Sequence, residues 1–368
     1  MLIKLLNPKP ETMVRARAVA FFLPATLPLT LYAAAKLGYA TGEHSWSAFL
    51  PFFLIYGLMT LLDYLIGRDE TNLAPSETVA ANKISAFFYR ALVLSTLPLQ
   101  LFTLYFAAQY FVETPLTVMG QIGWILSVGT IGGILAINAG HELVHKSTAA
   151  EQITGGLLLA TVCYGSFKTE HVYGHHAWVS TPRDHSSAPR GTNVYAFVPD
   201  SIYHNILGSF TLEAARLARR GFSAFSWRNE LIWWTTISFA LIVFFGWKFN
   251  AMGVVFFLAQ SLVAIVHLEI INYIEHYGLS REIEANGRYE KVTPMHSWNS
   301  SYFFTNAYLF QLQRHSDHHA NAARRYQDLR HHEGAPQLPG GYGAMLMLAL
   351  VPPLWRRVIH PRLDAQSR

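Results

Sequence analysis

Charge is what this chain has least of. Only 14% of its 368 residues are Asp, Glu, Lys or Arg, whereas about a quarter is usual in soluble globular chains. Hydrophobic residues make up 51%, and the mean hydropathy is +0.21. The shortfall points to lipid as the solvent for much of the surface. Cysteine is nearly absent. With Cys163 alone, no intrachain disulfide can form, nor any four-thiolate metal site of the zinc-finger or rubredoxin type. Internal repeats and low-complexity tracts are missing too. The net charge of +5 is modest and gathers on one side of the expected membrane, so it reads as topology and partner docking, not as nucleic-acid binding. Against these absences stand 17 histidines. If the protein holds a metal, imidazole holds it.

Six apolar stretches reach the roughly 20 residues that a membrane-crossing helix needs. They are Ala18–Leu37, Trp46–Ile66, Ala86–Val112, Leu116–Ala139, Leu231–Trp247 and Ala251–Ile271. The expected fold is therefore an all-α integral membrane protein, a single domain over 1–368, with histidine-rich segments 140–230 and 272–368 forming a cytoplasmic cap. Arg15, Arg17 and Ala33–Ala35 give the first stretch the look of a signal peptide, but its length and its internal Pro24 and Pro28 favour a retained span. Trp46, Trp124, Trp233, Trp234 and Trp247 lie near span ends, where aromatic belts form.

Orientation follows from the basic residues. With the N-terminus inside, Lys248 falls in an outer segment and Lys36 near an outer end; the other Lys and Arg fall on the cytoplasmic side. Both termini are thus expected on the cytoplasmic face of the inner membrane. Ile153–Phe167, with three glycines, and Ala344–Leu354, ending at Pro352-Pro353, read as buried or interfacial elements. Ile202–Phe222, carrying Arg216, Arg219 and Arg220, reads as an amphipathic helix on the inner surface or an ordinary soluble surface helix.

Four histidine clusters carry the chemistry. His141-Glu142-Leu143-Val144-His145-Lys146 ends the fourth span, and residues four apart share a helical face. His171-Val172-Tyr173-Gly174-His175-His176 follows it. Asn272-Tyr273-Ile274-Glu275-His276-Tyr277-Gly278 ends the sixth span. In His315-Ser316-Asp317-His318-His319, a helix would gather three rings on one face. The first cluster comes after four crossings and the third after six, so all four emerge on one side. His141, His145, His171, His175, His176, His276, His315, His318 and His319 thereby converge.

Nine imidazoles are too many for one ion, since zinc takes four ligands. Shared between two ions they give four or five each, which suits five- or six-coordinate iron with open positions for O2. Neutral ligands leave two Fe2+ charges uncompensated. Glu142, Glu170, Asp184, Glu275 and Asp317 are placed to balance them and to orient ligand rings. The remaining histidines read differently. His44, His204 and His360 are expected to be ordinary core or surface residues, and His331 and His332 to be solvated. His185, His267 and His296 stay open, although an ionisable group inside a span such as His267 is a functional candidate by default. Two other classes fit less well. The HExxH string at His141–His145 matches zinc proteases, but these need one further ligand, not seven more histidines. Transporter sites lie near the bilayer midplane, away from an inner-face cap.

The clusters resemble the membrane-bound alkane hydroxylases (alkane 1-monooxygenases) of the membrane fatty-acid desaturase and hydroxylase superfamily. The first, second and fourth clusters match, as does Asn272–Leu279, and the similarity continues through Pro294–Asn306, Tyr326–Arg330 and Pro336–Tyr342. HxxxH and HxxHH patterns mark only the superfamily, which includes desaturases; Asn272–Leu279 and Leu312–His319 select the alkane hydroxylase branch. The resemblance implies two non-haem irons as cofactor and O2 as co-substrate. It implies electrons from rubredoxin and its NADH-dependent reductase, and conversion of an n-alkane from the bilayer to a primary alcohol and water. Some relatives carry a fused rubredoxin, which this single-cysteine chain does not contain up to Arg368.

Terminal selectivity requires a channel that presents only the chain end, because a methyl C–H bond is stronger than its methylene neighbours. Ile134, Ile137 and Asn138 before His141, and Ile265, Leu268 and Asn272 before His276, are the expected lining. Gly129, Gly132 and Gly133 leave room for a chain or for close helix packing. Arg324, Arg325, Arg330, Arg356 and Arg357 offer a basic surface to the electron donor, or to anionic headgroups.

Overall fold

In the computed structural model, which describes residues 1–72 and 86–366, small polar side chains set where the long helices begin. Thr117 accepts a hydrogen bond from the Gly120 amide, Thr148 from Glu151, Asn193 from Tyr195 and Asn229 from Leu231. Each occupies the amides that a helix start leaves unpaired. Among the described residues the regular elements are all helical, with only isolated β-bridges such as Arg68 with Tyr302. Arg368, expected to end the cytoplasmic region, lies outside the described residues.

Among the described residues, four helices are long and apolar enough to cross a membrane: Pro10–Thr41, Ala86–Glu113, Val118–Val144 and Glu230–His276. Leu50–Ile66 is apolar but shorter. The first begins earlier than expected, at Pro10, and is interrupted by a tight turn at Leu23–Thr26 that contains Pro24. The second begins later than Trp46, with Pro51 in its first turn.

The 47-residue Glu230–His276 element is two helices. Asn250 has φ 56° and ψ −164°, which no helix tolerates. The rings of Phe245 and Phe257 stack with centroids 4.8 Å apart. In a continuous helix, twelve residues would separate them by about 18 Å. The chain therefore turns back on itself, and the fifth and sixth expected spans form a hairpin. Gly253 permits the closeness, since a Cβ there would lie 2.5 Å from the Phe245 carbonyl oxygen.

Val118–Val144 is the central helix. Of its apolar stretch 78% is buried, against 39% for Pro10–Thr41 and for Ala86–Glu113, whose apolar stretches stay mostly uncovered. It packs closely on Glu230–His276 because Gly129 lies against Val263; a Cβ there would meet Val263 at 2.5 Å. Gly133, one turn on, faces open space. From Gly133 to Asn138 the helix widens into a π turn just before the first histidine cluster.

The two shorter apolar stretches expected to be buried or interfacial are partly buried helices with shifted ends. Ala149–Ala160 is a helix with Leu158, Leu159 and Ala160 buried, and Tyr342–Ala349 buries Met345 and Leu346 before Pro352–Gln366 begins. Val194–Ala218 starts eight residues before Ile202, because Asn193 caps it and Pro199 is accommodated near its start. Tyr203, Leu207 and Phe210 on this helix, and Phe225 and Trp227 beyond it, are exposed, an apolar face that suits a membrane surface better than water.

Candidate metal centre and cavity

The nine clustered histidines meet, in two groups. His141, His145, His171, His176 and His318 form one, His175, His276, His315 and His319 the other, and within each group the ligand atoms lie within 4.8 Å of one another. Local backbone explains the division. His171–His175 is a π turn, in which residues five apart come into line, so His176 joins His171. Their Nε2 atoms are 3.1 Å apart. His175 is thereby rotated toward the other group. The fourth cluster also divides, contrary to the expectation that its three rings share a face. In the short His315–Ala320 helix, His315 and His319 pair at 2.9 Å between Nε2 atoms, whereas His318 faces His176 at 3.2 Å.

The donor set fits metal ions. Neutral imidazoles gain little from pointing ring nitrogens at one another, yet facing Nε2 atoms converge at 3.0 Å for His145 and His171, 3.1 Å for His276 and His315, and 3.2 Å for His175 and His319. Adjacent ligands at right angles on an ion with bonds of about 2.1 Å would be about 3.0 Å apart. The buried His141 Nε2 has no hydrogen-bond partner at all. Burial, and then neighbouring imidazoles, hold His145, His171, His315, His318 and His319 well below the ordinary histidine value, leaving their lone pairs free at neutral pH. His176 is held down in the same way, by burial and then His175. At His175 burial acts in that direction too, but the charge and hydrogen bond of Asp184 outweigh it and raise the value.

The five carboxylates of the sequence reading take different positions. Asp184 accepts from His175 Nδ1 at 2.9 Å, as a ring-orienting residue should. Glu275 lies 3.2 Å from His315 Nε2, on the ligand side of the ring, and lines the cavity. The other three have partners away from the ring nitrogens of the nine clustered histidines. Glu142 pairs with Lys146 at 2.9 Å and accepts from the Tyr326 amide, and Glu170 accepts from Asn205 at 3.3 Å. Asp317 binds Arg324, His332 and the Arg330 amide.

A cavity runs from the histidines into the helices. His141, His171, His315 and Glu275 stand at one end, and Ile134, Ile137, Asn138, Leu268 and Asn272 line it as expected. Ile265 does not; it packs in the core beside Ala264. The cavity face of that helix centres on Leu268, Ile271 and Asn272, and three residues back is about 60° round the axis from Leu268. Tyr56, Thr305, Leu309, Leu312, Tyr342 and Leu346 are among the further wall residues, and they were missed from sequence. So was the buried Glu269, which accepts from Tyr164, Ser201 and Asn272 and thereby holds a lining residue.

Other histidines settle into structural contacts. His44 bonds Tyr110, His360 bonds Tyr277, and His296 caps the Thr293 amide. His185 and His204 stack and share Asp200. His331, expected to be solvated, is buried against Ser301, and His332 binds Asp317. A polar segment need not be exposed where Asn72, Ser301 and Asp317 supply partners. Among the basic residues, Arg324 is tied to Asp317 and Arg325 to Glu151, both half-buried; Arg330, Arg356 and Arg357 are exposed.

Residues 116–349 match the fatty acid desaturase family. The chain is 47% identical over 362 residues to alkane 1-monooxygenase 2 of Alcanivorax borkumensis, covering 98% of this chain and 94% of that one. It is 51% identical over 314 residues to alkane 1-monooxygenase 2 of Pseudomonas aeruginosa, covering 85% and 83%. With the hydroxylase component XylM of the xylene/toluene monooxygenase of Pseudomonas putida it shares 29% over 310 residues, covering 82% and 78%.

Proposed function

The chain belongs to the alkane 1-monooxygenases of the fatty acid desaturase family, and from that premise we propose that it places one oxygen atom of O2 on the terminal carbon of medium- and long-chain n-alkanes. The observation that carries this reading is the pair of histidine groups at the end of an apolar cavity. The five-histidine group would hold one iron and the four-histidine group the other. Bound there, the irons supply O2 activation and the oxidising power for C–H cleavage, which no side chain here provides.

The protein's own residues do the rest. Asp184 keeps the His175 proton on Nδ1, so that Nε2 is the donor atom. The apolar walls exclude water and admit a chain lengthwise, so that a methyl group meets the His141, His171 and His315 end first. In this reading six segments cross the inner membrane, both termini and the metal centre face the cytoplasm, and the Val194–Ala218 helix rests on the inner surface. Electrons come from rubredoxin and its NADH-dependent reductase, docked at the exposed Arg330, Arg356 and Arg357. A zinc protease reading finds no free base, because Glu142 is engaged by Lys146.

The test is metal analysis of the purified protein followed by octane turnover with rubredoxin, reductase and NADH. Two irons per chain and 1-octanol are expected. Iron with an alkene product would place the chain among desaturases, and one zinc with no O2 uptake would overturn the oxygenase reading.

A further inference from the structure

Away from the metal centre, a groove opens between the Pro10–Thr41 and Ala86–Glu113 helices. Chain connection sets its place along the bundle. Thr114 to Thr117 join Glu113 to Val118, and the helix from there returns to His141, about 35 Å away along its axis. The groove therefore lies about one bilayer's thickness from the histidines, at the opposite membrane–water boundary. Aromatic rings mark that boundary. The Tyr39 hydroxyl is 3.1 Å from Thr114 Oγ1, its ring meets Tyr110 with centroids 5.7 Å apart, and Tyr32 meets Phe106 at 6.2 Å. Between Tyr32 and Tyr39 on the same helical face sits Ala35, whose small side chain leaves the hollow. Two opposite charges line it from separate walls, Lys36 on the first helix and Glu113 on the other. Both are exposed, and neither has an ionic partner among the described residues. The Lys36 ammonium lies 5.5 Å from the centre of the Tyr32 ring, and Gln109 Nε2 donates to Glu113 Oε2 at 3.0 Å.

We propose that this groove binds one phospholipid whose headgroup carries both a phosphate and a primary ammonium, that is, a phosphatidylethanolamine. The phosphate sits at Lys36 and the ammonium at Glu113, so each charge in the groove meets its opposite. Hydrogen bonding sharpens the choice. The Gln109 amide gives an N–H to Glu113, which leaves its carbonyl oxygen and Glu113 Oε1 without a partner among the described residues. Two acceptors thus face an ammonium with three N–H donors. A choline headgroup has the same charges but no N–H to donate. A glycerol headgroup brings no cation, and sets its phosphate beside an uncompensated Glu113. The acyl chains run from the groove toward the bilayer centre along Leu29 and Phe102, which are 64% and 63% exposed. Phe102 stacks on Phe106 and so continues the aromatic wall of the groove downward. The site draws on membrane placement alone and takes no part in the oxygen chemistry.

The experiment titrates the detergent-purified protein with phosphatidylethanolamine, phosphatidylcholine and phosphatidylglycerol of identical acyl chains, and reads the retained lipid by native mass spectrometry. The wild type should hold a first phosphatidylethanolamine about fivefold more tightly than phosphatidylcholine. Lys36→Gln and Glu113→Gln should each bring that ratio close to one while leaving phosphatidylcholine retention as it was. Phosphatidylglycerol also meets the basic residues at the histidine end, so its retention should be the same in wild type and variants. Equal retention of phosphatidylethanolamine and phosphatidylcholine by the wild type overturns the proposal. So does a preference that survives both substitutions, since the two charges then only reach for water. Should both variants fail to fold, Gln109→Leu removes one acceptor and should lower the ratio about twofold; an unchanged ratio overturns the proposal. The readout needs neither iron nor turnover, so its failure is distinct from a failure of the hydroxylation reading.

Discussion

His175 Nδ1 lies 2.9 Å from a carboxylate oxygen of Asp184, and both side chains are buried. Ser187 and the Ser186 amide hold the same carboxylate. The acceptor is therefore fixed before the imidazole meets it, and the imidazole is fixed before it meets a metal. Replacing Asp184 with Asn keeps the volume but removes the charge. Metal affinity should weaken roughly 10- to 100-fold, as for other losses of a ligand's hydrogen-bond acceptor. Competition against a graded series of chelators measures it; an affinity equal to wild type would show that Asp184 only shapes the loop.

Leu268 projects into the cavity wall. Leu268→Trp should fill part of the channel and shift turnover toward short alkanes, lowering the hexadecane-to-octane ratio by about tenfold. Gas chromatography of products from a mixed feed reads the ratio directly. An unchanged ratio with normal activity would mean that the chain takes another path.

The basic residues now divide into two kinds. Arg356→Glu with Arg357→Glu should raise the KM for rubredoxin about tenfold at low salt, and the difference should shrink above roughly 0.15 M as screening takes hold. Arg325→Ala, which leaves the buried Glu151 with only Arg90 and Thr148, should instead lower the melting temperature and leave that KM alone. If the paired-Glu variant left KM unmoved at every ionic strength, the donor would have to dock elsewhere.

Asp69 joins the first long helix to the fourth histidine cluster: Arg17 Nε bonds its carboxylate at 2.5 Å, and Arg314, next to His315, bonds its carbonyl at 2.8 Å. Burial alone would raise the Asp69 carboxyl, but Arg17 and then Arg314 outweigh it and hold it below its ordinary value of 3.8. A lowered folded value means stability fully present above the unfolded value and lost only as pH falls through the folded one. Asp69→Asn, which leaves two buried guanidinium groups short of charge, should cost about 3–5 kcal/mol. The loss should be equal at pH 5 and pH 8 and shrink only in strong acid. Thermal melts of both proteins across that range test the sign; a loss that grew as pH fell would contradict it.

What could be read in advance followed from local spacing. Histidines four apart at the end of an apolar run announce a shared face, and counting six expected crossings leads to the expectation that His141 and His276 come together, as their two adjoining groups do. What could not be read was phase and distance. No propensity marks His171–His175 as a π turn, so the assignment of His175 and His176 to opposite groups was hidden. Tyr56, Leu312 and Tyr342 reach the cavity from three separated parts of the chain, with no pattern in common. Ile265 missed the wall by part of a turn, and His331 was hidden by a partner, Ser301, thirty residues away.

The second and fourth clusters each send histidines to both groups. The centre is therefore laced rather than assembled from two separable halves. A backbone shift that opens one group drags on the other through one peptide step, from His175 to His176 or from His318 to His319. A substitution at either position therefore touches both groups, and neither can be altered there alone.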